Sequence, residues 1–293
     1  MDIYSQMEKI RKKIRLMSIM VIIPIVLAFI LVIKAAMMLD SDKLYTMLLA
    51  AFAAGVCSVF FVHKKSQYNK KFQVMYKDNF LVGLLNEKFQ NVQYDWKYGF
   101  SEDVVRGMGL VKMGSRFDSE DFISGEYNGV KFEQSEVTVE EVVYCDDRMD
   151  TYVHFKGRMF SFDYERKDIM SILIFSNNFS YSGEGFDYKY EKIKMENEGF
   201  NRSFKVKSGR AEDAFYVLTP HMMECIQDLK QRFSNIAIHY TPSKVYVAYK
   251  TDENAYDIDA DMSVDLKREE AACRRDMQVI IDIIDALKID SKR

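Results

Sequence analysis

The sequence is poor in the residues that mark several protein classes. Its 293 residues include only 3 prolines, 4 cysteines, 4 histidines and 1 tryptophan. No two cysteines stand in a C-x-x-C pair, so the pattern shows neither a zinc signature nor a disulfide framework. With 13 glycines and 48% hydrophobic residues, the composition also excludes a collagen-like repeat and a disordered chain. This length is enough for one large domain or two small ones with a real core.

Long apolar runs are present, and they are concentrated near the N-terminus. From residue 16 to residue 39 the only charge is Lys34, and residues 44–62 carry none. About 20 helical residues cross a hydrocarbon core, so we predict two transmembrane helices, over about 16–39 and 44–62. Residues 40–43 leave room only for a tight turn, which makes a helical hairpin. A cleaved signal peptide is the alternative for the first run, but its apolar part is usually only about 7–15 residues long.

Basic residues lie on the outer side of both runs, whereas the connecting turn holds two aspartates and one lysine. By the positive-inside rule, both termini are expected in the cytoplasm and the turn outside it. The candidate membrane-surface residues are Lys9, Arg11, Lys12, Lys13, Arg15, Lys64, Lys65, Lys70 and Lys71.

The formal net charge of -3 hides an uneven distribution. Residues 1–63 hold 7 lysines and arginines against 4 acidic residues, and the rest hold 34 against 40. Residues 64–90 hold 6 lysines and arginines against 2 acidic residues, so residues 91–293 have a net charge of -10. The basic stretch suits anionic lipid headgroups. The acidic body does not suit a phosphate backbone, so no nucleic-acid partner is expected.

Residues 64–90 read as a basic amphipathic juxtamembrane helix, continuous with the second span. Its apolar positions recur at three- and four-residue steps: Phe72, Met75, Tyr76, Phe80, Leu84, Leu85 and Phe89. It is either a membrane- or partner-binding helix or the first helix of the following domain, and we favour the second. The predicted division is therefore 1–63, 64–90 and a cytoplasmic domain over 91–293.

The centre of the chain alternates apolar and polar residues, as β-strands do. Asn128-Gly129 between two alternating runs is a strong hairpin signal, and Lys156-Gly157-Arg158 predicts a second turn. The predicted strands here are 122–127, 130–137, 152–155, 159–164 and 171–175. Exposed loops are predicted over 146–150 and 177–187.

The last third mixes helices and strands. The segments predicted are a strand over 204–207, helices over 210–218 and 220–233, strands over 236–240 and 244–249, and a closing helix over 263–287. Thr219 is placed to cap the second of these helices, with Pro220 in its first turn. Antiparallel hairpins with flanking helices predict the α+β class rather than a parallel α/β sheet.

An acidic cluster is the most suggestive candidate for metal binding. Asp257, Asp259 and Asp261 alternate as at the start of a calcium loop. However, Met262 stands where that loop needs glycine, and Arg268 stands where a glutamate would complete the ligands. We therefore favour an acidic loop before the last helix and predict no metal site.

No other pattern carries chemistry. The glycine cluster over 106–114 lacks the Gly-Lys-Ser/Thr of a phosphate loop, and a connection into the β region is favoured. The histidines match no metal motif, and no sequence signature gives a cysteine both a base and an orienting group. We predict no catalytic residue, no cofactor and no enzymatic activity. An enzyme whose site is assembled from dispersed residues stays an alternative.

The order of these features resembles the bacterial family catalogued as domain of unknown function 3137 (DUF3137). The matching stretches are 125–136, 155–160 and, most clearly, 204–224, and the resemblance extends from Lys64 to the C-terminus. Residues 176–179 depart from the usual glycine-containing loop of the family. The resemblance supplies no active-site residues, and it implies an association with membrane proteins of the LemA type.

Together these features predict a membrane-tethered cytoplasmic interaction or scaffold module, whose partners are membrane lipids and another protein. A lipid- or ligand-binding domain at the inner face of the membrane is the second hypothesis, and the dispersed-site enzyme is the third.

Overall fold

The computed structural model describes residues 3–36, 41–145, 148–166, 168–179, 190–253, 256 and 266–289. It divides into two compact units. The first comprises Met1–Gly83 and Asp257–Ala272, and the second comprises Leu84–Tyr256 and Cys273–Arg293. The division into 1–63, 64–90 and 91–293 expected from the sequence stays a prediction.

Long helices make up most of the first unit. Helix α1 spans Ile3–Ala36 and α2 spans Ser41–Met75. A π-helical turn, Tyr76–Leu81, and α3, Val82–Lys88, continue α2 without a break. The helix predicted over the juxtamembrane region is therefore present and ends at Lys88.

Helices α1 and α2 pack along each other in opposite directions. Near the start of α1, the Lys13 Nζ lies 5.6 Å from the centre of the Tyr68 ring, which is in the second half of α2. The Phe80 ring of the π-helical turn packs edge-on against Tyr4 at 5.3 Å and stacks on Tyr76 at 5.5 Å. The N-terminal residues before the apolar run are therefore helical and anchored by aromatic contacts.

The second unit is built on one antiparallel sheet. In the described part of the chain the strands are β1 Gln90–Asp95, β2 Arg116–Tyr127, β3 Val130–Cys145, β4 Arg148–Asp163, β5 Ile172–Ser176, β6 Glu191–Ile193, β7 Phe204–Ser208, β8 Ile236–Tyr240 and β9 Lys244–Lys250. Their order is β1-β2-β3-β4-β9-β8-β5-β7-β6. Strand β9 therefore joins the meander β1–β4 to the remaining strands.

Among the described residues, the helices that follow are α4 Glu102–Met108, α5 Glu198–Ser203, α6 Ala211–Val217, α7 Pro220–Phe233 and α8 Leu266–Ala286. The predicted cap of α7 is confirmed, because Thr219 Oγ1 accepts a hydrogen bond from the Met222 amide at 3.3 Å. The predicted closing helix is confirmed as α8, although residues 263–265 lie outside the described residues. Helices beside an antiparallel sheet confirm the α+β class.

The Asn128-Gly129 hairpin is confirmed, and its strands are longer than predicted. Tyr127 pairs with Val130, and the two turn residues have φ values of 51° and 82°, as a type I′ turn requires. Glycine accepts such a φ without cost, which explains the residue pair at this turn.

The second predicted hairpin is wrong, because β4 runs without a turn through Gly157. A Cβ on Gly157 would lie 2.1 Å from the Tyr249 carbonyl oxygen, so this glycine lets β9 approach β4 closely. The predicted loop over 146–150 is also wrong for residues 148–150, which begin β4. Residues 146 and 147 lie outside the described residues, as do 180–187 of the second predicted loop.

Candidate functional site

The longest strands of the sheet extend past their neighbours and form a two-stranded arm. Strands β3 and β4 have 16 residues each and pair up to Cys145 and Arg148. Pairing of β2 with β3 stops at Glu140, and pairing of β9 with β4 starts only at Gly157. We call residues 141–145 and 148–154 the β3–β4 arm.

One face of the β3–β4 arm is apolar and exposed. Val142 lies opposite Thr151, and Tyr144 lies opposite Met149, so these side chains share a face with Val153. The exposed fractions of Tyr144, Met149 and Val153 are 76%, 56% and 55%. Large apolar side chains clustered this way on a surface are typical of a binding site.

The other face of the β3–β4 arm is more polar. Glu141 lies opposite Tyr152, and Val143 lies opposite Asp150, with Arg148 on the same side. Successive side chains of each strand therefore point alternately to an apolar face and to a mixed face. This pattern is expected of a two-stranded ribbon that contacts a partner through one face.

A β-bulge at the base of the arm sets which residues face which way. Val139 pairs with Phe155, but the next residue, Glu140, pairs with Val153, so His154 is the extra residue on β4. Phe155 therefore points into the buried cluster with Val139, whereas Val153 points to the opposite side. His154 Nε2 lies 3.7 Å from a carboxylate oxygen of Glu141 across the arm.

The outer edge of β4 is open along the arm. No strand in the described ranges pairs with it before Gly157, and the first contact there is the Thr251 amide, which donates to the Lys156 carbonyl at 3.2 Å. The outer edge of β3 differs, because the Val142 amide donates to Ser115 Oγ at 2.8 Å. The open edge of the β3–β4 arm is therefore that of β4.

The arm was not predicted from the sequence. Residues 146–150 resemble a loop and Lys156-Gly157-Arg158 resembles a turn, and these two predictions divide β4 in two. The signal was present in the alternation of Val142 and Tyr144 with Met149 and Val153 on the two sides of an aspartate pair.

A buried ion pair is the second candidate. Arg158 of β4 is 2% exposed, and its Nη2 lies 3.1 Å from Oδ1 of Asp276 on α8. Its Nε lies 3.7 Å from Glu136, and its guanidinium lies 5.3 Å from the centre of the Tyr256 ring. Burial alone would lower the pKa of Arg158, but the nearby tyrosines and carboxylates raise it.

The pKa of Asp276 is also raised, because burial disfavours its carboxylate and Arg158 only partly offsets that effect. The two opposite charges compensate each other, so this contact holds α8 against the sheet. We assign it a structural role.

A shallow cleft of about 300 Å³ lies over β2, β3, β4 and β9. Its one half-buried lysine, Lys244, donates to Ser161 Oγ at 3.1 Å and lies 3.3 Å from Asp163 and 3.6 Å from Glu133. Burial disfavours the charge of Lys244, but these carboxylates raise its pKa above the usual value. Two carboxylates keep this lysine protonated, so it cannot act as a general base. Lys244 therefore does not make the cleft a catalytic site.

Two further histidines are candidates, one exposed on α7 and one buried on β8. On α7, Cys225 Sγ lies 3.9 Å from Nε2 of His221, whose Nδ1 lies 4.0 Å from Glu224. Nothing else in these contacts orients the thiol, so we assign it no role. His239 is buried, its Nδ1 lies 2.8 Å from the Met108 carbonyl, and burial lowers its pKa to about 4. It is a neutral structural residue.

The weak metal candidates Asp257, Asp259 and Asp261 lie outside the described residues. Within the described ranges, no three His, Cys, Asp or Glu side chains are grouped to hold a metal ion.

The basic residues predicted at a membrane surface differ in exposure. Those exposed are Lys9, Lys12, Lys13, Arg15, Lys70 and Lys71, and those half-buried are Lys64 and Lys65. The membrane-surface assignment of these residues stays a prediction. Arg11 is buried and lies 3.5 Å from Glu8. The reason is helical spacing: Arg11 shares a face of α1 with the buried Met7 and Ile14.

Two helices are long and apolar enough to cross a membrane, namely α1 and the continuous helix Leu44–Lys88. In the most apolar 18-residue stretch of each, the buried share is 0% and 11%. The core helix of a soluble protein is mostly buried, so two uncovered apolar helices fit a lipid environment better.

Comparisons with known proteins give one family and one structural likeness. The crystal structure of the mycobacterial trehalose monomycolate transport factor A, TtfA, is similar at 8% identity, over 67% of this chain and 88% of that chain, with a TM-score of 0.36. At that score the likeness carries no argument. No curated protein matches the chain.

The family match covers residues 153–289, from the β3–β4 arm to the end of the described chain, and the matching family is described as a protein of unknown function, DUF3137. Of the three motifs that suggested this family, the segment over 125–136 lies before the match and the other two lie within it. The resemblance to DUF3137 seen in the sequence is therefore confirmed over residues 153–289.

Proposed function

We propose that this chain is a membrane-anchored protein whose α+β unit binds a partner protein through the β3–β4 arm. In this proposal α1 and α2 form a transmembrane hairpin, and both termini lie in the cytoplasm. The observation that carries the proposal is the exposed apolar face formed by Tyr144, Met149 and Val153.

The anchor is supported by the exposure of its apolar residues and by the charges around it. Leu16 to Ile33 present large side chains outward, for example Ile23 at 59% and Phe29 at 67% exposure. Such a surface is unstable in water but stable among lipid chains. Lysines and arginines at the outer ends of both helices support cytoplasmic termini.

A test of the anchor uses the full chain with its native cysteines replaced by serine. We expect a membrane-impermeant maleimide to label Asp42→Cys, at the start of α2, in intact expressing cells. Tyr98→Cys, at an exposed position of the second unit, should be labelled only after the cells are opened. Labelling of Tyr98→Cys in intact cells would contradict the proposed orientation, and release of the protein by alkaline carbonate would contradict the anchor.

The arm is supported as a binding surface by its chemistry. It offers aromatic and aliphatic side chains, with carboxylates and an arginine on its other face, and protein interfaces commonly combine an apolar centre with a polar rim. Tyrosine and methionine are also enriched at such interfaces.

The arm is tested by photocrosslinking in membranes. A photoreactive amino acid at Tyr144 should give a protein adduct, while the same group at Tyr98, an exposed side chain outside the arm, should give at most a fifth as much. Equal yields at the two positions, or no adduct at either, would contradict binding through the apolar face.

A further inference from the structure

The open edge of β4 is a strand without the usual protection against pairing. Between Arg148 and His154 it contains no proline, and its single bulge comes only at the end, at His154. Exposed edges in soluble proteins are commonly shielded by bulges, prolines or inward-pointing lysines. This segment is instead rich in residues that favour strands, such as Tyr152 and Val153.

The edge is also complementary to itself. When two copies pair antiparallel around an axis at Thr151, Met149 lies beside Val153 of the partner and Asp150 lies beside Tyr152 of the partner. The apolar faces then lie on one side of a four-stranded sheet, because opposite residues share a face. No like charges are opposed, and all of residues 148–154 are used.

The neighbouring registers that keep the faces aligned are worse. An axis at Asp150 places two aspartates opposite each other, which is destabilising in a sheet. An axis at Tyr152 places Arg148 opposite Lys156, whose carbonyl already accepts from Thr251. An axis at Met149 pairs only residues 148–150 of the open segment with one another. An axis at Val153 places Met149 opposite Gly157, where β9 already occupies the edge.

We propose that the open edge of β4 binds the same edge of a second copy of this chain, antiparallel, with the two-fold axis at Thr151. This inference rests on the proposed function and names the partner at the arm. Seven residues of edge pairing bury much less than the roughly 1,600 Å² of a standard interface, so the contact is weak in solution. Two copies anchored in one membrane have a much higher effective concentration, which makes a small contact sufficient.

The test is disulfide crosslinking of the full chain in membranes, with Cys57, Cys145, Cys225 and Cys273 replaced by alanine. Thr151→Cys should form a disulfide-linked dimer, because paired residues have Cα atoms about 4.5–5.5 Å apart, within disulfide range. Arg148→Cys is the matched control on the same exposed edge. Its two copies are separated by about 20 Å along the strands, so its yield should be at least about tenfold lower.

A second pair of variants tests the register through charge. In the Thr151→Cys background, Tyr152→Lys brings an opposite charge to Asp150 of the partner, and Tyr152→Asp brings a like charge. Tyr152 is 57% exposed, so neither change disturbs the core. Because each charge pair occurs twice in the dimer, the Lys variant should crosslink about five- to tenfold more than the Asp variant.

Three results would overturn the inference: no dimer from Thr151→Cys in chains that are folded, equal yields from Thr151→Cys and Arg148→Cys, or no difference between the two Tyr152 variants. If Thr151→Cys gives no dimer but Tyr144 crosslinks to a different protein, pairing with a second copy is contradicted and the proposed function remains. The first result with no crosslink at Tyr144 would overturn both.

Discussion

The buried contact between Arg158 and Asp276 makes a sharp prediction about stability. We compare three variants of the full chain: Asp276→Leu, Arg158→Met, and the two together. Arg158 is 2% exposed, whereas the Asp276 side chain is 22% exposed, so the two single changes leave different groups without a partner.

Asp276→Leu leaves the arginine charge buried beside the Glu136 carboxylate, at 3.7 Å, and the Tyr256 ring. Removing one partner of a buried ion pair costs about 3–5 kcal/mol of unfolding free energy. Because the Glu136 carboxylate remains, we expect a loss of about 3 kcal/mol. Arg158→Met leaves Asp276 partly hydrated, so we expect a loss of about 1–2 kcal/mol. The double variant removes both charges and should lose about 1 kcal/mol or less, since apolar replacements of buried pairs are often nearly neutral.

The assay is urea unfolding in detergent, followed by the fluorescence of the single tryptophan, Trp96, which lies in the second unit. A double-mutant cycle should then give a coupling energy of about 3–4 kcal/mol between Arg158 and Asp276. If the double variant is as unstable as the sum of the two single variants, the contact is not an internal ion pair and our reasoning fails.

Three smaller predictions follow from single contacts. His239→Asn keeps a donor for the Met108 carbonyl but cannot titrate. The wild-type His239 has a pKa of about 4 when folded, so stability should fall as pH falls from 6.5 towards 4 in wild type and fall less in the variant, by thermal unfolding at each pH. Thr219→Ala should cost about 1 kcal/mol of unfolding free energy through loss of the α7 cap, and Thr219→Ser should not. Gly157→Ala should lower the thermal midpoint by more than about 5 °C, since its Cβ would meet the Tyr249 carbonyl oxygen, and an unchanged midpoint would refute that close approach.

Local signals in the sequence predicted the local parts of the fold. Asn128-Gly129 specified its hairpin, Thr219 and Pro220 specified the start of α7, and charge-free runs specified the apolar helices. Each of these depends on residues within one turn or one helix, which a sequence presents side by side.

The errors came from contacts between distant residues. Gly157 looks like a turn residue in the sequence, but its function depends on Tyr249, which reaches it only when β9 pairs with β4. Arg158 was part of the same predicted turn, and its burial depends on Asp276 of α8. The β3–β4 arm was lost with that turn, since a divided β4 cannot extend past its neighbours.

The position of β9 has a consequence for how the chain is made. Strands β1–β4 can pair as they emerge, but the inner part of β4 gains its other neighbour only when residues 244–250 are available. While residues 164–243 are added, at about 5–20 residues per second, that edge waits for roughly 4–16 s. An unpaired edge with apolar neighbours is prone to aggregation for as long as it is open. A chain that stops before Lys244 therefore keeps two half-sheets, each with an unsatisfied edge, and becomes a substrate for quality control.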